Sequence, residues 1–312
     1  MRVTFLGNAA WSVPPLEALA SSPHDVAVIT REPRPAGRGG RLRPTAVAAA
    51  ARRLGRPLIE VDTVKSGRGF EVLRDTRPEV LAVVAYGEIL PPGVLDVPAV
   101  APVNVHFSLL PELRGAAPVQ RAILEGLRVT GVTTIRMDEG MDTGPILLQA
   151  TEPIDDDDDA GALGSRLAAI GGRLLVDTID RLAAGTIVER PQDDAAATYA
   201  PKLRPEDQTV DWSEPATNVA RLVRALSPEP GASTGFRGRT LKVWRARPVE
   251  SLEGADARGA AGSVALASKN GLAVWAGQGA VHLEEVQPAG RRRMTGAEFV
   301  RGHRPEPGEQ LG

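Results

Sequence analysis

Cysteine is absent from the sequence. That removes disulfides, a thiolate nucleophile and every cysteine-ligated metal site, and it fits a reducing compartment. No apolar run approaches the roughly 18 residues a membrane span needs. The N-terminus enters at once a short apolar stretch, residues 2–6, that reads as a strand rather than a signal peptide. A cytoplasmic chain without a membrane partner is therefore expected. Neither sign of charge dominates, since 37 Lys and Arg face 39 Asp and Glu, and the composition is that of an ordinary folded protein. The turn after the first strand, Gly7-Asn8-Ala9-Ala10-Trp11, lacks the repeated glycines that let a pyrophosphate approach a helix N-terminus, so no nicotinamide cofactor is expected. The acidic run at 155–159 lacks the alternating ligands and the glycine of a calcium loop. It reads as the solvated start of a helix striped by Leu163, Leu167, Ile170 and Leu174. No metal is expected.

What is present is a regular alternation. Residues 3–7, 26–30, 58–61 and 80–85 read as short buried strands, separated by helical stretches at 14–20, 45–54 and 69–75. Alternation of this kind implies an α/β, Rossmann-like domain with a mostly parallel sheet. Residues 190–208 are poor in apolar periodicity and contain Pro191, Pro201 and Pro205, which suggests a linker. Beyond a helix at 215–225 come short strands broken by glycine, at 239–245, 262–267, 272–275 and 281–286, suited to a small β-barrel. The expected organisation is a catalytic domain at 1–189, a linker at 190–204 and an OB-like barrel at 205–312.

Within the first domain, the apolar run 100–107 is interrupted by Asn104 and His106, and alternation along a strand puts both on one face. Ser108-Leu109-Leu110-Pro111 then ends the strand, because proline has no amide hydrogen and turns the preceding residue away from helix. A carboxamide and an imidazole side by side suit acyl transfer: His106 takes a proton from an attacking amine while Asn104 donates to the oxyanion. An imidazole base also needs a partner to set its tautomer, and Asp142 is the candidate. It lies in the glycine-flanked loop Asp138-Glu139-Gly140-Met141-Asp142-Thr143-Gly144, between apolar segments 132–137 and 146–150.

Five ordered segments then resemble one family: Pro35-Ala36-Gly37-Arg38-Gly39, Val84-Ala85-Tyr86-Gly87, residues 104–118, residues 137–144 and Tyr199-Ala200-Pro201-Lys202-Leu203. The chain resembles the formyltransferases that use 10-formyltetrahydrofolate, and specifically the methionyl-tRNA formyltransferases. The resemblance implies catalytic roles for Asn104, His106 and Asp142. It also implies folate contacts at Ser108, Leu109, Leu110 and Pro111, with Tyr86, Gly140 and Met141. The implied co-substrate is 10-formyltetrahydrofolate, and the implied acceptor is initiator methionyl-tRNA, formylated for translation initiation. Three departures stand out. The family usually has Gly-Thr-Pro-x-Phe where this chain has Gly7 to Trp11, a small residue where Phe107 stands and an aromatic where Leu113 stands. A sugar-amine formyltransferase or folate hydrolase with the same Asn, His and Asp is the rival enzyme reading, and a non-catalytic RNA-binding module is the rival from another class.

Residues 31–43 read as a basic loop, with Arg31, Arg34, Arg38, Arg41 and Arg43 against the single acid Glu32. Such a loop can grip phosphates. The resemblance at Arg38 makes it the leading tRNA contact, with Arg41 beside it. Residues 235–247 carry Arg237, Arg239, Lys242, Arg245 and Arg247 without an acid, and Arg291, Arg292 and Arg293 follow. On a barrel these clusters suit tRNA. A monomer is expected.

Overall fold

The computed structural model describes residues 1–36, 40–249, 259–269 and 271–312. The chain forms two compact units. One comprises Met1–Pro118, Val129–Pro153 and Gly164–Pro201, the other Val119–Arg128, Ile154–Leu163 and Lys202–Gly312.

Through the first 201 residues run β1 (Arg2–Gly7), α1 (Val13–Ala20), β2 (Asp25–Arg31), β3 (Arg34–Ala36), β4 (Arg41–Arg43), α2 (Ala46–Arg53), β5 (Leu58–Val61) and α3 (Gly67–Asp75). They continue with β6 (Val80–Val84), α4 (Pro92–Leu95), β7 (Ala101–His106), α5 (Pro118–Leu124), β8 (Val129–Arg136), β9 (Ile146–Pro153) and α6 (Ala160–Ala184). The central sheet has the order β5-β2-β1-β6-β7-β8-β9. Its first five strands are parallel, β8 pairs antiparallel with β7, and β9 pairs antiparallel with β8. Because β1 passes to β2 on one side while β6 returns on the other, the strand order reverses between β1 and β6. Doubly wound sheets open a ligand crevice at the carboxyl ends of the strands at such a point.

Local chemistry explains the elements. The parallel strands are nearly continuous Val, Ile and Leu because both faces are covered, and β6, Val-Leu-Ala-Val-Val, is buried throughout. Leu6, Ile29, Leu81 and Val83 pack with Leu73, Val94 and Leu95 from α3 and α4 on one face. The alanine-rich α2 starts at Thr45, whose hydroxyl accepts from Ala48 N at 3.0 Å and so satisfies one of the free amides at a helix start.

Three details differ from the sequence reading. Residues 31–43 are not a plain loop, since β3 and β4 pair as an antiparallel ribbon with Arg34 opposite Arg43 and Ala36 opposite Arg41. The acidic run is not uniformly solvated: Asp158 is buried and accepts from Asp155 N at 2.8 Å, while Asp159 caps α6 by accepting from Ala162 N at 2.8 Å. The buried stripe of α6 includes Leu163 and Leu167 but continues through Leu175 and Ile179, leaving Ile170 and Leu174 half-buried. A ridge of residues four apart is what packs against a neighbour.

The second unit carries α7 (Ala216–Ala225), β10 (Ala232–Phe236), β11 (Arg239–Val249), β12 (Val264–Ser268), β13 (Gly271–Trp275), β14 (Ala280–Pro288), β15 (Met294–Thr295) and α8 (Gly296–His303). Its antiparallel sheet has the order β10-β11-β14-β13-β12, with β15 on β14. The chain end bridges the two edges: Leu311 pairs with Phe236 of β10 and Gln310 with Ser263 just before β12. The edges are thereby covered, which an open sheet otherwise leaves to aggregation. Trp212, Val223, Phe236, Val274, Val286 and Phe299 fill the interior. The expected α/β unit followed by an antiparallel barrel is what the chain forms. Three pieces were not anticipated: the two-residue β15, β10, whose Ala-Ser-Thr-Gly-Phe has little strand character, and α8, whose Thr295 and Glu298 form a capping box that is a readable start signal.

Phe299 is fully buried, edge-on to Phe236 at 5.2 Å and stacked on His303 at 4.4 Å. Phe299→Ala is expected to lower stability by about 3–5 kcal/mol, read from the urea midpoint of the second unit's transition. An unchanged midpoint would mean that α8 contributes little to that core.

Candidate active site

Asn104 and His106 project together from the carboxyl end of β7, as strand periodicity requires. His106 is buried and Asn104 half-buried. The loop between β8 and β9 returns toward them because Asp138 folds it, its Oδ1 accepting from Gly140 N at 3.1 Å and from Thr143 Oγ1 at 2.7 Å. Asp142 sits at its tip in the left-handed region, φ 56°. Its Oδ1 accepts from Asn104 Nδ2 at 3.2 Å and its Oδ2 from Gly115 N at 2.9 Å. The same Oδ2 lies 3.5 Å from His106 Nδ1. Gly115 has φ 123°, and a Cβ there would lie 2.7 Å from the Ala200 carbonyl oxygen, so glycine is what lets this amide reach the carboxylate.

The partner that sets the tautomer of His106 is not Asp142, as the sequence reading had it. His106 Nε2 is 2.9 Å from the Leu113 carbonyl oxygen. A carbonyl only accepts, so Nε2 carries the hydrogen and Nδ1 is the basic nitrogen of the neutral ring. Leu113 itself is in the left-handed region, φ 58°, its amide donating to Thr198 Oγ1 at 2.8 Å. Nothing in the sequence of a main-chain carbonyl marks this role.

Beside the three side chains opens a cavity of about 530 Å³, within the range of small-molecule sites. Asn104, His106 and Asp142 line it with Tyr86, Gly140 and Met141, while Val83, Leu90, Ile135 and Met137 supply apolar wall. The turn Ser108, Leu109, Leu110 and Pro111 is not among its lining residues. Ser108 is wholly buried and donates to Glu112 O at 2.6 Å. Leu109 lies over Gly131, where a Cβ would come within 2.5 Å of its Cδ2. Leu110 is held through its amide by Thr133 Oγ1 at 3.1 Å and through its carbonyl by Gln149 Nε2 at 2.8 Å. These bonds tie the turn to the loop that follows it and to β8 and β9. Ile89, which is exposed, and Ala116 line the cavity and were missed; the apolar pair Ile89-Leu90 just after the Val84–Gly87 segment was the available signal.

Another part of the cavity is polar. Glu88, nearly buried, is held by Arg31 at 2.5 Å and Thr63 Oγ1 at 2.8 Å, with Lys65 at 3.9 Å. The Tyr86 phenol is pushed up to about 12, by burial first and by the Glu88 charge second. Asn8, from the departing turn after β1, ties the neighbouring strand ends together. Its Oδ1 accepts from Thr30 Oγ1 and Arg31 N, both at 2.9 Å, and its amide donates to Tyr86 O. Among the described residues no group of three or more His, Asp or Glu is placed to hold a metal ion.

The residues expected to meet tRNA divide. Arg38 lies outside the described residues. Arg41 is exposed on β4 and shares a ribbon face with Arg34 and Arg43. Arg239 is exposed at the start of β11. Arg237 is engaged internally, paired with Glu309 and donating to His303 O at 3.0 Å. Lys242 likewise donates to Pro230 O and lies over the Trp244 ring.

Comparison with known proteins places this geometry. Residues 1–179 match the family described as Formyl transferase, and residues 202–304 match Formyl transferase, C-terminal domain. A methionyl-tRNA formyltransferase of Solibacter usitatus is 42% identical over 100% of this chain and 99% of its own. One of Acidothermus cellulolyticus is 43% identical over 100% of both. Among solved structures, HypX from Aquifex aeolicus in complex with tetrahydrofolic acid superposes with a TM-score of 0.67 at 18% identity, over 96% of this chain and 47% of that one; at that identity the likeness is one of fold. With both matched segments in order and full-length relatives above 40% identity, the chain belongs to the formyl transferase family.

Proposed function

We propose that the protein transfers the formyl group of 10-formyltetrahydrofolate to the free amine of methionyl initiator tRNA, giving N-formylmethionyl-tRNA for translation initiation. The observation that carries this reading is the convergence of Asn104, His106 and Asp142 at a cavity of small-molecule size, in a chain whose full-length relatives bear the name methionyl-tRNA formyltransferase. A cytoplasmic setting is supported by the absence of cysteine.

In this reading the substrate amine attacks the formyl carbon, and the carbonyl electron pair moves to oxygen. Asn104 has one amide hydrogen committed to Asp142 and one left for the oxyanion, a donor already in place as charge develops. His106 Nδ1 takes the proton from the attacking nitrogen. The resulting imidazolium keeps Nε2–H on Leu113 O and gains at Nδ1 a charge-assisted contact with Asp142 Oδ2. When the tetrahedral species collapses, the bond from the formyl carbon to the folate nitrogen breaks, and His106 returns its proton to that nitrogen. Atoms and charge balance without a further reactant. The wall of Val83, Leu90, Ile135 and Met137 suits the flat ring system of the donor, and the basic ribbon suits the phosphates of the acceptor.

His106→Ala and Asn104→Ala are each expected to cut kcat by roughly a hundredfold or more while leaving donor affinity little changed, measured by formyl transfer to charged initiator tRNA. Near-wild-type turnover in either variant would remove that residue from the chemistry. Arg41→Ala is expected to raise the KM for tRNA but not for the formyl donor, and to flatten the plot of log kcat/KM against log salt by about one unit. An unchanged salt slope would mean that this face of the ribbon meets solvent only.

A further inference from the structure

Residues 190–201, whose composition suggested a passive connection, are built into the first unit. Gln192 donates both hydrogens of its amide to the loop that carries Asp142: Nε2 is 2.7 Å from Asp142 O and 2.7 Å from Gly144 O. Its Oε1 accepts from Arg114 Nε at 3.0 Å and Nη2 at 2.8 Å. The carboxamide thus uses two donors and two lone pairs, its whole capacity. Arg114 is buried, and its Nη2 also donates to Asp194 Oδ1 at 2.8 Å. Along the main chain, Arg114 N donates to Thr198 O at 2.9 Å and Ala200 N to Arg114 O at 2.7 Å. Thr198 holds Leu113 through its hydroxyl. Both neighbours of the His106 ring, the Leu113 carbonyl at Nε2 and Asp142 at Nδ1, are therefore braced from one segment.

We propose that Gln192, gripped by the buried Arg114, is a positioning residue. It fixes the left-handed backbone at Asp142 and so places the carboxylate against Asn104 Nδ2, Gly115 N and His106 Nδ1, without touching either substrate. This rests on the reading that Asn104, His106 and Asp142 carry the transfer. A non-glycine residue in the left-handed region relaxes unless its surroundings hold it, and a carboxylate displaced by a fraction of an ångström loses its hold on the base. Main-chain acceptors at Asp142 and Gly144 call for a donor with two hydrogens, and the Arg114 guanidinium calls for an acceptor on the same group. Glutamine meets that demand, whereas glutamate of the same shape has none to give.

The test uses the full-length enzyme in four forms: Gln192→Ala, Gln192→Glu, Asp142→Asn, and Asp142→Asn combined with Gln192→Ala. Gln192→Ala is expected to lower kcat roughly tenfold, with KM for both substrates nearly unchanged. Gln192→Glu keeps the shape and the Arg114 pairing, so it folds even where the alanine variant is weakened; it is expected to be equally slow. In the Asp142→Asn background, Gln192→Ala is expected to cost little more, because residues acting through one group are not additive. Wild-type kcat in Gln192→Glu would overturn the proposal, as would an equal cost of Gln192→Ala in both backgrounds. Wild-type kcat in Asp142→Asn would overturn the site reading itself. That outcome is distinct from failure of this proposal alone, in which Asp142→Asn is slow and the Gln192 variants are not.

Discussion

The carboxylate of Asp142 is the point on which the site's geometry turns. One oxygen takes Asn104, the other takes Gly115 N and faces His106, so a single side chain orients a donor, a backbone loop and a basic nitrogen. It does so from a left-handed backbone, which a non-glycine residue adopts at a cost. The surrounding chain meets that cost with directed hydrogen bonds: Asp138 folds the loop from within and Gln192 clamps it from outside. The arrangement also separates two tasks that one carboxylate often combines at an imidazole. Leu113 O fixes the tautomer, and in the proposed transfer this leaves Asp142 to favour the protonated ring when a proton arrives at Nδ1.

The three departures from the family pattern find places in this geometry. Trp11 and Phe107 meet edge to face, ring centroids 6.2 Å apart at 82°, a favoured aromatic arrangement. A Cβ on Gly164 of α6 would lie 2.3 Å from the Trp11 ring, so the large side chain after β1 is accommodated by a residue with none. A bulky Phe107 and a bulky Trp11 thus fill one space together, and neither reads correctly alone. Leu113 acts through its carbonyl, with its side chain buried; loss of an aromatic there leaves the contact to His106 intact. Asn8 replaces a residue that would not carry a carboxamide, and it uses both ends of that group to join β1, β2 and the turn after β6.

Much of this was legible in the sequence, and the limits have physical causes. Strand periodicity put Asn104 and His106 on one face, and the glycine-flanked loop singled out Asp142. Buried apolar runs marked the parallel strands, whereas β10 and the ribbon of β3 and β4 were obscured because small or charged residues in a strand are justified only by the partner they meet. Main-chain groups such as Leu113 O and Gly115 N have no sequence identity to read. Gln192 was hidden for another reason: it stands in a stretch without apolar periodicity, and the two carbonyls it serves lie about fifty residues earlier. Absence of an apolar pattern marks a segment that does not fill a core. It does not mark one without partners.

The same distinction separates the arginines. In the second unit, charge that looked like an uninterrupted basic strand is largely compensated across the sheet: Arg245 and Arg247 both reach Glu284, and Arg237 reaches Glu309. Acids distant in sequence neutralise them, so the local count of cations overstates the field that a polyanion would meet. The ribbon of β3 and β4 is different. Arg34 and Arg43 stand directly opposite each other, a placement that costs a sheet stability, and among the described residues only Arg34 of the two has an acidic partner, the exposed Asp62. Arg41 and Arg43 share that face with no ion pair among the described residues. A two-stranded ribbon is marginal on its own, and like charges across it weaken it further. For a chain whose net charge is −2, attraction to the nucleic acid of the proposed function would have to be local, and the ribbon's Arg41 and Arg43 are exposed cations of that kind.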